Sequence, residues 1–208
     1  MNDAKILFDE SYTRIKNIHS LYLYLTEQSN FKHEIVEDLL RSEIVGIVSA
    51  LDKFISDVIV FGVMDCFRNS KNKLDALSNL KLTFLEFNLY FLSTSDEYLK
   101  YDNLEKLLRT RLKQLTFQEP EKIANGLSFF WNEPNKWKKI SVLMNQNEKS
   151  TKIKLKNIVT RRNQIVHEAD HDLYNRCLQP ITPQYASESV EYINNLVDSI
   201  FKLINSTD

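Results

Sequence analysis

The chain has 208 residues, 43% of them hydrophobic and 26% charged, and a formal net charge of -1, a balance that can bury a sizeable core and excludes intrinsic disorder. Its three Gly and four Pro are too few for the turns of a β-sandwich or an α/β fold of this length. The two cysteines, Cys66 and Cys177, exclude a disulfide framework or a cysteine zinc cluster and suit a reducing compartment.

No stretch reads as a long linker, so one domain over 1–208 is expected. The first twenty residues, with Asp3, Asp9 and Glu10, lack the basic start and apolar run of a signal peptide. A first helix is expected over about 4–27, where Leu7, Ile15, Ile18, Leu21 and Leu25 recur at helical spacing, and Ser29 and Asn30 mark a break. The second and longest helix, about 32–67, sets Val45, Val48, Leu51, Phe54, Ile55, Val58, Ile59 and Gly62 on a wide apolar stripe, as the central member of a bundle would. Asp52, Lys53, Asp57 and Asp65 interrupt its apolar part, so it reads as a buried helix and not as a membrane span.

Polar turn residues over 69–73 precede helices expected over 80–92 and 103–115, which the Ser93-Thr94-Ser95-Asp96 turn separates. Pro120, Gly126 and Pro134 divide 116–137 into short helices and a loop. Phe129, Phe130, Trp131 and Trp137 read there as packing residues rather than a base-stacking platform. A helix over 153 to about 174, a connection over 180–183 and a final helix over 188–204 complete the chain. The fold class is therefore all-α: an up-and-down helical bundle with a short-helix and loop insertion before the helix that starts near 153.

Between 136 and 162 stand nine basic residues, Lys136, Lys138, Lys139, Lys149, Lys152, Lys154, Lys156, Arg161 and Arg162, against Glu148 alone. A solvated helix face is the plain interpretation. The functional one is an electrostatic footprint for a phosphate-bearing partner, and the residues that follow favour it. Leu155, Ile158, Val159, Ile165, Val166 and Ala169 share one helical face, and Arg162 belongs to the same line. A charge in a core stripe needs a partner or solvent, and local conflicts of this kind tend to mark function. Asn163 and His167 lie one turn apart on a common face, whereas Arg162 and His167 diverge by about 140°. They converge through the length of the arginine side chain or across two copies of the helix. The plain alternative is a paired core arginine beside a surface histidine.

The run Asn157-Ile158-Val159-Thr160-Arg161-Arg162-Asn163-Gln164-Ile165-Val166-His167-Glu168 resembles the signature of the HEPN superfamily: Arg, a polar residue, a short spacer and His, late in a helical bundle. Arg162, Asn163 and His167 carry the match. Ala50-Leu51-Asp52-Lys53-Phe54 on the long early helix, the 117–131 region and the closing helix are similar to the bacterial HEPN branch related to RiboL-PSP-associated proteins. The resemblance thus extends over most of the chain. It implies a cytoplasmic, metal-independent endoribonuclease without a cofactor, acting on RNA as a homodimer whose two motifs face one composite cleft. It also implies a toxin, defence or stress-response role, with an antitoxin or sensor protein as partner.

On that resemblance His167 performs acid/base chemistry, Arg162 binds the phosphate and its transition state, and Asn163 orients the phosphate or His167. Arg161, Lys152 and Lys156 are the expected RNA-binding residues. Asp52 is a candidate partner for Arg162, a surface role being the simpler one. Some HEPN toxins are modified on a tyrosine two residues after the histidine, where this chain has Ala169.

His167-Glu168-Ala169-Asp170-His171 also fits H-E-x-x-H, the zinc-hydrolase pattern, with Glu191 as a third ligand. The charge of Asp170 and the prolines at 180 and 183 oppose it, and no metal is expected. A third reading keeps the HEPN-like fold without catalysis, as an RNA-binding or protein-interaction module.

Overall fold

The computed structural model describes residues 1–28, 33–69, 83–88, 95–172 and 177–206, and among these the regular structure is helical apart from one isolated bridge, His171 with Leu178. The helices are Asn2–Glu27 (α1), His33–Arg68 (α2), Phe84–Phe87 (α3), Glu97–Leu112 (α4), Pro120–Leu127 (α5), Lys136–Leu143 (α6), Glu148–His167 (α7) and Pro183–Asn205 (α8). The all-α expectation holds. The break at Ser29 and Asn30, most of the 69–73 turn, and much of the 80–92 helix and the 93–96 turn lie outside the described residues.

α2 is the axis of the bundle because its apolar residues surround more than half its circumference. Val36, Leu40, Ile44, Ile47, Val48, Leu51, Phe54, Ile55, Val58, Ile59 and Val63 are all buried. Each buried aliphatic or aromatic side chain contributes about 1.5–3 kcal/mol relative to exposure. α1, α4, α5, α7 and α8 all pack against it, and α6 fills the space against α7 and α8. Buried Asp57 is reconciled with this position by Lys53 one turn away and by Arg109 of α4, whose guanidinium stands 3.0 Å from its carboxylate. No helix of the described residues is long and apolar enough to cross a membrane.

Helix boundaries depart from the apolar periodicity wherever a polar cap decides them. α7 begins at Glu148, not 153, because the Asn147 side chain accepts from the Ser150 amide. α4 begins at Glu97 because Asp96 accepts from the amides of Tyr98 and Leu99, and α8 at Pro183 because Thr182 accepts from Tyr185 N–H. α7 ends at His167 rather than near 174, since Ala169 and Asp170 adopt left-handed backbone angles, φ 50° and 57°. Aspartate tolerates that region better than most residues, and its side chain is anchored there, as described below.

The 116–137 stretch folds as α5 followed by the turn that leads into α6. Trp131 and Trp137 are buried and Phe129 and Phe130 partly so, packed against the core. The Trp137 indole donates to the Pro120 carbonyl at 2.8 Å, pinning the insertion to itself. At Gly62, an added Cβ would lie 2.2 Å from the Phe130 ring, so this glycine admits the aromatic side chain to the surface of α2.

Candidate active site

A second, smaller apolar cluster closes one end of the bundle: Tyr22 of α1, Val36, Leu40 and Ile44 of α2, Ile181 just before α8 and Ala186 in its first turn, with Ile165 packed against them. It holds the last two turns of α7, which carry Arg162, Asn163 and His167.

The adjacent arginines have opposite fates. Arg161 turns to the buried Asp170: its Nη2 donates to Oδ2 at 2.8 Å, its Nη1 pairs with Oδ1, and it also reaches Gln179 Oε1 at 2.8 Å and the Gln179 and Pro180 carbonyls. From the other side Arg41 of α2 donates through Nε to Asp170 Oδ2 at 2.7 Å and through Nη2 to the Gln179 carbonyl at 2.9 Å. One buried carboxylate therefore ties α2, α7 and the connection to α8 together. The backbone of the turn closes with it: Asp170 N–H donates to the Gln164 carbonyl and Gln179 N–H to that of Asp170. Arg161, expected to contact RNA, is thus engaged internally, with its side chain only 11% exposed. A structural arginine and an RNA-binding one look identical in a basic run.

Arg162 has no ion pair among the described residues. It sits half-buried in the core line of α7, its Nε is buried without a hydrogen-bond partner, and its Nη1 donates to Asn163 Oδ1 at 3.1 Å. A guanidinium left this way costs about 1–3 kcal/mol for the unmet group. An anion at the half-buried guanidinium would supply the counter-charge that Arg162 lacks among the described residues. The same bond orients the Asn163 amide with its N–H groups directed away from Arg162. His167 is exposed in the last turn. Asp52 does not meet Arg162: it accepts from Phe117 N–H at 2.6 Å and from Gln118 Nε2 at 2.8 Å, which fastens the start of the insertion to α2. Its pairing with the motif arginine is corrected by those two bonds.

Lys156 is exposed on α7, and Lys152 is ion-paired with Glu148 one turn back. Lys154 lies 5.1 Å from the centre of the Tyr192 ring, a cation–π contact, and Lys136 is buried against Ser128 and the Glu133 carbonyl. The basic run is therefore divided between structural cations and a smaller solvent-facing set.

The H-E-x-x-H alternative fails on geometry. Two histidines four apart face one another only on a continuous helix, and α7 stops at the first of them. His171 bonds instead through Nδ1 to the Ala169 carbonyl at 2.8 Å. Glu191 is held by Lys16 and the Tyr12 hydroxyl, and among the described residues no three His, Cys, Asp or Glu side chains gather as a metal site.

Sequence reasoning missed Arg41 and Gln179 and met Asp170 only as an objection to zinc. A local signal did exist, an aspartate just past the helix that carries two arginines, but its partner on α2 is 129 residues distant. Among the described residues, Arg162, Asn163 and His167 line none of four well-formed clefts of 450 to 580 Å³.

An all-α bundle is the form of a HEPN domain, a class linked to RNA. The family model described as RiboL-PSP-HEPN matches residues 9–206, and the chain belongs to that family. No curated protein and no solved structure matches it.

Proposed function

We propose that this chain is a metal-independent endoribonuclease, a single HEPN-like domain over 1–208 that works as a homodimer. The observation that carries it is the contrast within α7: Arg161 is neutralised by Asp170, whereas Arg162 keeps a buried, unmet Nε beside Asn163 and close in sequence to the exposed His167. A phosphodiester supplies the anion that such an arginine lacks.

Cleavage through the RNA's own hydroxyl requires a base, an acid and positive charge. One imidazole takes the proton of the 2′-hydroxyl, whose oxygen attacks phosphorus. A second imidazole protonates the departing 5′-oxygen, leaving a 2′,3′-cyclic phosphate and a 5′-hydroxyl. One copy offers His167 once, and two-fold pairing offers it twice. Support for a composite cleft comes from the motif's open setting and from exposed Val166 and Leu178 beside it. Arg162 and Asn163 neutralise and orient the phosphate, and Lys156 and Lys152 extend the basic track along α7. Within a cell this activity fits a toxin, defence or stress-response system restrained by an antitoxin or sensor protein in the cytoplasm.

The test is total RNA incubated with chelator and either the wild type or His167→Ala, followed by analysis of fragment ends. Cyclic-phosphate ends from the wild type alone are expected. RNA bound by both but cut by neither would sink the catalytic claim.

A further inference from the structure

A cleft of about 450 Å³ opens between α7 and the start of α8, on the flank of the helix that carries His167. Asn157, Thr160, Arg161 and Gln164 line it from α7, and Gln179 and Tyr185 face them from the connection and from α8.

Three observations define what the cleft can hold. The first is unspent hydrogen-bonding capacity: the side chains of Asn157, Thr160 and Gln164 have no protein partner among the described residues. Thr13, Thr110 and Thr151 return their hydroxyls to the carbonyl four residues back, the usual resolution inside a helix, and Thr160 does not. Gln179 accepts from Arg161 through Oε1, which leaves its Nε2 as a donor. The second is charge. Arg161, the cation in the wall, is spent on Asp170 and on the Gln179 and Pro180 carbonyls, so the cleft presents amides and a hydroxyl but no free charge. That disfavours a phosphate and suits an uncharged polar ring. The third is an aromatic side chain in the wall: Tyr185, partly buried against the apolar cluster at this end of the bundle, is the residue type on which bases stack.

The cleft is also placed for the reaction. Thr160 precedes His167 by two turns on nearly the same line of α7, within about 20°, and Gln164 precedes it by about 4.5 Å along the axis. We propose that this cleft is a base-recognition subsite, seating one unpaired nucleobase of single-stranded RNA next to the scissile phosphate at His167. Side-chain amides read paired donor and acceptor positions on base edges, and Gln164 and Asn157 present such groups here. The inference rests on the ribonuclease reading and adds the source of its sequence preference.

The experiment is an abasic scan. Short labelled single-stranded RNAs, each lacking one base in turn, are titrated with the full chain by fluorescence anisotropy, and the same RNAs are assayed for cleavage. Wild type is expected to lose about tenfold in affinity, about 1.4 kcal/mol, at one position and little elsewhere. The double variant Gln164→Leu with Thr160→Val, checked for an unchanged melting temperature, should bind every RNA alike at that position. A flat scan in the wild type, or a variant that keeps the same sensitive position, overturns the subsite even if the RNAs are cut. A wild-type scan with its sensitive position but no cleavage keeps the subsite and removes the ribonuclease reading. Absence of RNA binding removes both.

Discussion

Replacing Asp170 with Asn leaves two arginines facing an amide in a space closed to water. The side chains of Asp170 and Arg41 are 2% and 6% exposed, so neither charge can be rehydrated without opening the junction of α2, α7 and α8. Asparagine keeps the size of the side chain and the tolerance for φ 57° at this position, so the perturbation is the lost charge and not backbone strain. Arg41 retains the Gln179 carbonyl and the more distant Asp38 and Glu37, at 3.3 and 3.6 Å, which soften the loss. Breaking a buried ion pair from one side costs about 3–5 kcal/mol, and with this softening we expect about 3 kcal/mol. In a chain of this size that corresponds to a fall of about 6–12 °C in Tm. Urea unfolding followed by circular dichroism measures it, with the m-value checked for constancy. A double-mutant cycle with Arg161→Gln should show a coupling of more than about 1 kcal/mol. A loss below about 1 kcal/mol for Asp170→Asn, or additive effects in the cycle, would refute the assignment of Asp170 as the anchor of the turn after His167.

Gly62→Ala should destabilise by about 2 kcal/mol, because its Cβ must displace the Phe130 ring, and less than additively in combination with Phe130→Ala; strict additivity in urea melts would count against this contact. Lys156→Ala should flatten the dependence of RNA affinity on salt by about 0.7 in log–log slope, and Lys152→Ala by less, since Glu148 already holds that cation; equal effects would contradict the division of the basic run. Glu43 is buried and its carboxylate lies 3.1 Å from His19 Nδ1; burial raises its pKa, and the opposing pull of His19 and Lys16 does not cancel that rise. A carboxyl raised on folding contributes stability that is fully present below its unfolded value, about 4.3, and is lost as pH climbs through the folded value. The stability of the wild type relative to Glu43→Gln should therefore decline as pH rises above about 4.3. Parallel urea midpoints for the two proteins between pH 4 and 7 would exclude this role.

The sequence by itself determined the all-α class and the central place of α2, and it put Arg162, Asn163 and His167 on one stretch of helix. Each of these is written in local periodicity or spacing, which helical geometry converts directly into a face. Scarce Gly and Pro and the wide apolar stripe of α2 left little alternative to a helical bundle. Helix ends were less legible, because Asn147, Asp96 and Thr182 are ordinary polar residues until their side chains meet the amides two or three positions on. Only the tertiary structure decided between Arg161 and Arg162. Two neighbouring arginines on one helix differ by about 100° of rotation, and which of them finds a carboxylate depends on where a left-handed turn after the helix and a residue of α2, distant in sequence, come to rest. The same holds for Asp52, drawn to the Phe117 amide, and for the histidines at 167 and 171, which the end of α7 separates. Buried charges are resolved by whatever the fold brings within reach, and a single chain read in order does not contain that proximity.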